Sequence, residues 1–111
     1  MNNDDGLFYR LPVGCVSEGH HINLRNDPLA DPTGDKNELV APLIVQDVYD
    51  GPPRAADINR VYSIVEVTSP RQSTNDGTTL LLSVGPEWKA VMIHFPDDQH
   101  EVSVRSGNDI I

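Results

Sequence analysis

The chain has 111 residues, the length of one ordinary domain, with 17 acidic against 8 basic side chains and a formal net charge of -9. That balance argues against a generic nucleic-acid binder, because phosphate contacts need clustered Lys and Arg. The single cysteine excludes an internal disulfide framework, and the longest apolar run, Leu39–Val45, is too short to span a bilayer and is broken by Pro42.

Residues 1–6, Met-Asn-Asn-Asp-Asp-Gly, predict a flexible tail with neither the basic start nor the apolar stretch of a secretory signal, and 7–111 a single β-rich domain. Leu7–Val16 reads as an irregular strand broken by Pro12 and Gly14, and His21–Arg25 as a short strand. Residues 26–38 carry two Asp-Pro pairs and a Thr-Gly-Asp turn, which predicts a long acidic, solvated loop. Leu39–Tyr49 is a strand with Pro42 inside it; the missing N–H makes it an edge strand or a bulged one. The segment 52–60 is the sole helix candidate, one or two turns at most, because proline suits a first helical turn and Arg-Ala-Ala-Asp follows.

The C-terminal half alternates more cleanly. In Val61–Ser69, Val61, Ser63, Val65 and Val67 share one face, and Tyr62, Ile64, Glu66 and Thr68 the other. Residues 70–77 end in Asn-Asp-Gly, a strong hairpin signal, so Thr78–Val84 is expected to return along Val61–Ser69. Gly85-Pro86-Glu87 turns the chain into Trp88–Phe95, and Pro96–Gln99 turns it into His100–Arg105. Two isoleucines in Asn108–Ile111 suit a docked tail. Together these patterns predict an all-β domain: a small antiparallel sandwich or barrel of about six or seven strands, closed by a four-strand C-terminal meander.

Trp88–Phe95 is apolar on both faces, with Val91, Ile93 and Phe95 on one and Trp88, Ala90 and Met92 on the other. A strand of that kind is covered on both sides, by its own chain in a sandwich or by a second subunit.

Motifs that carry chemistry are sparse. His20, His21, His94 and His100 are weak candidates for a metal, since adjacent strand residues point to opposite faces and no close ligand pair has the spacing of a zinc site. Cys15 lies in Pro-Val-Gly-Cys-Val-Ser, which is not a hydrolase signature, and a small buried apolar residue is the usual fate of a lone cysteine. Asp27, Asp31, Asp35 and Glu38 lack the register of a calcium loop, and Thr33–Asn37 lacks the second glycine and Lys-Ser/Thr pair of a phosphate loop. No cofactor is implied, and an enzyme is the less expected class.

The expected function is a non-enzymatic structural or assembly domain acting through protein–protein contacts or self-association. In size and composition the chain is similar to small β-rich accessory proteins of viruses and phages, such as a capsid-decorating protein, an analogy that transfers no residues. Trp88, Met92 and Tyr49, with Asp97 and Asp98, are the expected contact residues, in a cytoplasmic or virion setting. One alternative is a small acidic inhibitor or immunity-type protein for a basic protein surface, in which the acids of 26–38 and 97–98 form one face. Another is a ligand- or metal-binding protein, or an enzyme, whose histidines converge in a pocket. Neither direct nucleic-acid binding nor a membrane partner is expected.

Overall fold

The structure is a computed structural model that describes residues 8–25, 27–34, 39, 43–61, 63–84 and 89–105. Among the described residues, alternating apolar residues and frequent turn residues produce seven strands: β1 (Tyr9–Pro12), β2 (His21–Asn23), β3 (Leu43–Asp50), β4 (Ser63–Glu66), β5 (Thr78–Val84), β6 (Lys89–Phe95) and β7 (Glu101–Arg105). A 3-10 turn at Val13–Cys15 follows β1, and one short helix, α1 (Ala55–Ile58), lies between β3 and β4. The fold is therefore all-β, as the composition implies. Its Cα radius of gyration, 13.3 Å, matches the ~13 Å of a compact chain of this length.

All seven strands form one sheet in the order β1-β7-β2-β3-β5-β6-β4. Every pairing is antiparallel except β4 with β6, which is parallel. This corrects the expected four-strand meander, of which β5–β6 is the one hairpin that forms. The turn signal at Asp76-Gly77 is real, with φ of 64° and 84°, but it does not join paired strands. A Cβ on Gly77 would sit 1.9 Å from the Phe95 carbonyl oxygen, so this turn packs onto the end of β6 and β4 pairs with β6, not β5.

The sheet encloses a single apolar core. Leu43, Val45, Leu80, Leu82, Val91, Ile93, Phe95, Val102 and Val104 point into it, together with Ile22 and Leu24. Val65 and Val67 join it from β4, as the alternation of that strand predicts. Pro42 lies outside the described residues. Whatever its effect, β3 is central, between β2 and β5, and its ladder carries an irregularity between Val45 and Asp47. Of the two forms expected for this strand, it takes the bulged one.

The described part of the acidic loop is not a solvated excursion. Asp27 and Asp31 are buried, and Ala30 and Leu39 belong to the core. Asp27 Oδ1 accepts the N–H groups of Leu29 and Ala30, each within 3.0 Å, and both carboxylate oxygens accept from His100 Nε2 at 3.0 Å. His100 stacks on Phe95 with ring centroids 5.5 Å apart. The loop thus closes over one end of the core and is clasped to the turn between β6 and β7.

The second face of β6 is covered by the chain itself. Three aligned pairings place Tyr49, Thr79, His94 and Glu66 in one row across β3, β5, β6 and β4, and Asp47, Leu81, Met92 and Ile64 in the next. Tyr49 Oη points at Met92 Sδ, 4.0 Å away, and Thr79 Oγ1 donates to the Gly51 carbonyl at 2.7 Å. The crossover from β3 through α1 to β4 therefore starts on this outer face, and Met92 is fully buried there. No helix among the described residues is long and apolar enough to cross a membrane.

Candidate functional site

The four histidines have four separate environments. Ser17 N–H donates to His20 Nδ1 at 3.0 Å, which leaves His20 Nε2 to face Tyr9 Oη at 3.5 Å. His21 Nδ1 accepts from Arg105 Nη2 at 2.9 Å, and the Arg105 guanidinium lies 5.4 Å from the Phe8 ring centre. His94 Nδ1 is 3.0 Å from Thr79 Oγ1, whose own proton goes to Gly51, so Nδ1–H is the donor in that pair. His100 is committed to Asp27. Among the described residues no three His, Cys, Asp or Glu side chains converge as a metal site would require. Cys15 is exposed, contrary to the buried place expected of it.

His94 has a shifted titration. Burial holds its pKa below the ordinary 6.5, and the nearby charges of Glu66 and Asp76 oppose that shift. Glu66 is paired with His94 across β4 and β6, on the same outer face.

Of the expected contact residues, Tyr49 and Met92 meet on the outer face, and Asp97 and Asp98 share the turn between β6 and β7. Trp88 lies outside the described residues. Met92 is fully buried within the chain and offers no surface. Tyr49 is half-buried; the Arg54 guanidinium stacks on its ring at 3.6 Å, and Arg54 N–H donates to its hydroxyl at 3.0 Å. Asp97 and Asp98 are partly buried turn residues with local partners. Asp97 accepts Gln99 N–H at 3.0 Å and lies 3.9 Å from Arg71, while Asp98 exchanges two hydrogen bonds with Ser73, at 2.7 and 2.8 Å. Asp27 and Asp31 are buried as well, and Asp35 and Glu38 lie outside the described residues.

A groove of about 540 Å³ opens on the outer face, over Leu81, Ser83 and Ala90. Asp47, Asp57, Arg60 and Glu18 give it a mixed-charge wall. Arg60 lies 3.7 Å from Asp57, so its one cation already has an anionic neighbour. The groove has the size of a ligand cleft but lacks the mainly apolar lining with a few convergent polar groups that small-molecule sites have.

The two ends of the sheet differ more sharply. At β1, Val13 N–H donates to the His100 carbonyl, which extends the ladder that aligns Leu11 with Val102. Hydrogen-bonded pairs alternate in an antiparallel ladder, so Tyr9, Leu11 and Val13 face β7, while Arg10 and Pro12 face outward. Pro12 has no N–H to offer, and the Arg10 side chain is bound to β7, donating to Ser103 Oγ and the Glu101 carbonyl. This edge is blunted.

The β4 edge has no such device. Val67 N–H donates to the His94 carbonyl at 3.1 Å, so Val65 and Val67 turn their backbone polar groups to β6. Ile64 and Glu66 turn theirs the other way, where no strand follows among the described residues. Both side chains are exposed, Ile64 at 40%. Ser-Ile-Val-Glu contains no proline, lysine or bulge; what limits pairing there is its four-residue length and the charge of Glu66. Two outward donors, two outward acceptors and an exposed aliphatic side chain thus share one short stretch. Sequence reading missed this site because the alternation of β4 shows which face is buried but not which neighbour it has.

Compared with known proteins, the chain matches no family model, and no curated protein or solved structure matches it.

Proposed function

We propose that this chain is a non-enzymatic structural or assembly domain that works through protein–protein contacts, and that β4 is where it makes them. The observation that carries the reading is the edge at Ile64 and Glu66, open among the described residues, set against a β1 edge blunted by Pro12 and Arg10. An extended partner segment added there would satisfy the outward backbone groups and cover Ile64, the general mode of recognition by strand addition. A virion accessory or capsid-decorating role is one setting that suits a small contact domain of this kind.

Hydrogen–deuterium exchange tests the reading. The amides of Ile64 and Glu66 should exchange fast in the isolated chain, while that of Val65, bonded into the ladder, is protected. Substitution Ile64→Lys should leave the fold intact and abolish association with a strand-forming partner. Slow exchange at Ile64 and Glu66 in the dilute isolated chain would show the edge to be closed already and would overturn the reading.

A further inference from the structure

We infer that the occupant of the β4 edge is an extended, basic segment of another protein, with a cationic side chain beside Glu66 and an aliphatic one beside Ile64. The inference rests on the edge reading above and adds the chemistry of the partner. Ile64 and Glu66 lie on the same face of the strand, two residues apart, so one incoming strand meets both along a single row. Glu66 is the one charged residue of β4 and is exposed. The one cation in the loop between β4 and β5, Arg71, is already 3.9 Å from Asp97. The edge is therefore a hydrogen-bonding ledge with one exposed carboxylate, Glu66, and one aliphatic contact, Ile64.

Charge also decides against a second copy. Each chain carries -9, so pairing β4 with itself brings two strongly acidic bodies together. A basic strand meets a complementary field, which speeds encounter and fixes register. Opposite charges in directly facing positions stabilise a strand pair, and like charges there destabilise it.

The test uses the full chain and three short synthetic peptides: one alternating Lys and Val, one alternating Glu and Val, and the Lys–Val peptide with a central proline. Binding is followed residue by residue through backbone amide NMR shifts at low and moderate salt. The inference expects the Lys–Val peptide to move the Ile64 and Glu66 amides, the proline version to fail, and the effect to weaken with salt. Glu66→Lys should weaken that peptide about tenfold and strengthen the Glu–Val peptide, with exchange protection of β5 and β6 unchanged to show that the fold persists. Equal binding of both alternating peptides at Ile64 and Glu66 would keep the edge but overturn the basic partner. Concentration-dependent protection of the same two amides without peptide, with a doubled solution mass, would assign the edge to a second copy. No shift at β4 with any peptide would overturn both readings.

Discussion

Single residues carry more of this fold than their types suggest. Gly77 combines φ of 84° with backbone contact so close that a Cβ would overlap the Phe95 carbonyl. Gly77→Ala should therefore cost more than about 3 kcal/mol, read as a lower urea midpoint at unchanged slope. Asp27 is the buried anchor of its loop. Asp27→Ala removes the acceptor of two backbone N–H groups and of His100 together, and should cost about 3 kcal/mol in the same measurement. Asp27→Asn, which keeps one oxygen for those N–H groups, should cost less. His94 sets a pH dependence with a definite sign. Its pKa is lowered in the folded chain, so below pH 6.5 the unfolded chain binds a proton that the folded chain does not until its own titration point is reached. Its neutral form carries no penalty above 6.5, and stability falls as pH drops from there toward the lowered value. His94→Gln should flatten that part of the stability profile, and the ring should titrate below 6.5 by NMR. Some of this was legible in the sequence, since Asn75-Asp76-Gly77 announces a left-handed turn. The burial of Asp27 was not, because Asn-Asp-Pro looks like any surface turn, and only the flanking Leu24, Leu29 and Ala30 hint that this loop packs inward.

At the scale of elements, the period-2 pattern located the strands well, because inward residues such as Val65 and Val67 or Val102 and Val104 must alternate with outward ones to bury one face. The pattern also showed that β6 is covered twice. It did not show that the second cover comes from the same chain, with Tyr49 against Met92 and the crossover to β4 setting out beside it at Gly51. That crossover is lightly held: α1 has four residues, no side-chain cap and no buried residue. A helix so short does not stand on its own propensity and persists through its attachments, Tyr49 with Arg54 chief among them. Amides of residues 57–60 should exchange far faster than those of Leu80, Leu82, Val91 and Ile93. Tyr49→Phe, which deletes the acceptor of Arg54 N–H, should cost about 1 kcal/mol and quicken exchange across α1 before any other element.

For the whole molecule, strand order was the part the sequence did not reveal. Pairing between neighbours in the chain is read from turns, but β7 sits between β1 and β2, and nothing local at Tyr9 points to Val104 as its partner. The parallel place of β4 is equally non-local, since it follows from the crossover passing two strands. Long-range pairing of this kind should give folding in milliseconds to seconds, measurable by stopped-flow circular dichroism. A chain ending at His100 should fail to fold, because no remaining strand joins β1 to the rest of the sheet; a near-native circular dichroism spectrum and cooperative melt for that truncation would contradict the topology. The place of β7 has a further consequence at birth. On the ribosome β1 and β2 emerge long before their shared partner, with the 77 residues between Asn23 and Glu101 still to be made. At the usual pace of translation that is a wait of roughly 4–15 seconds, during which Leu11, Ile22 and Leu24 lack the strand that would seal them into the core. The stretch that carries β1 and β2 is thus the part most exposed to chaperones and to misassembly, although its Val13, Ile22 and Leu24 end buried in the core.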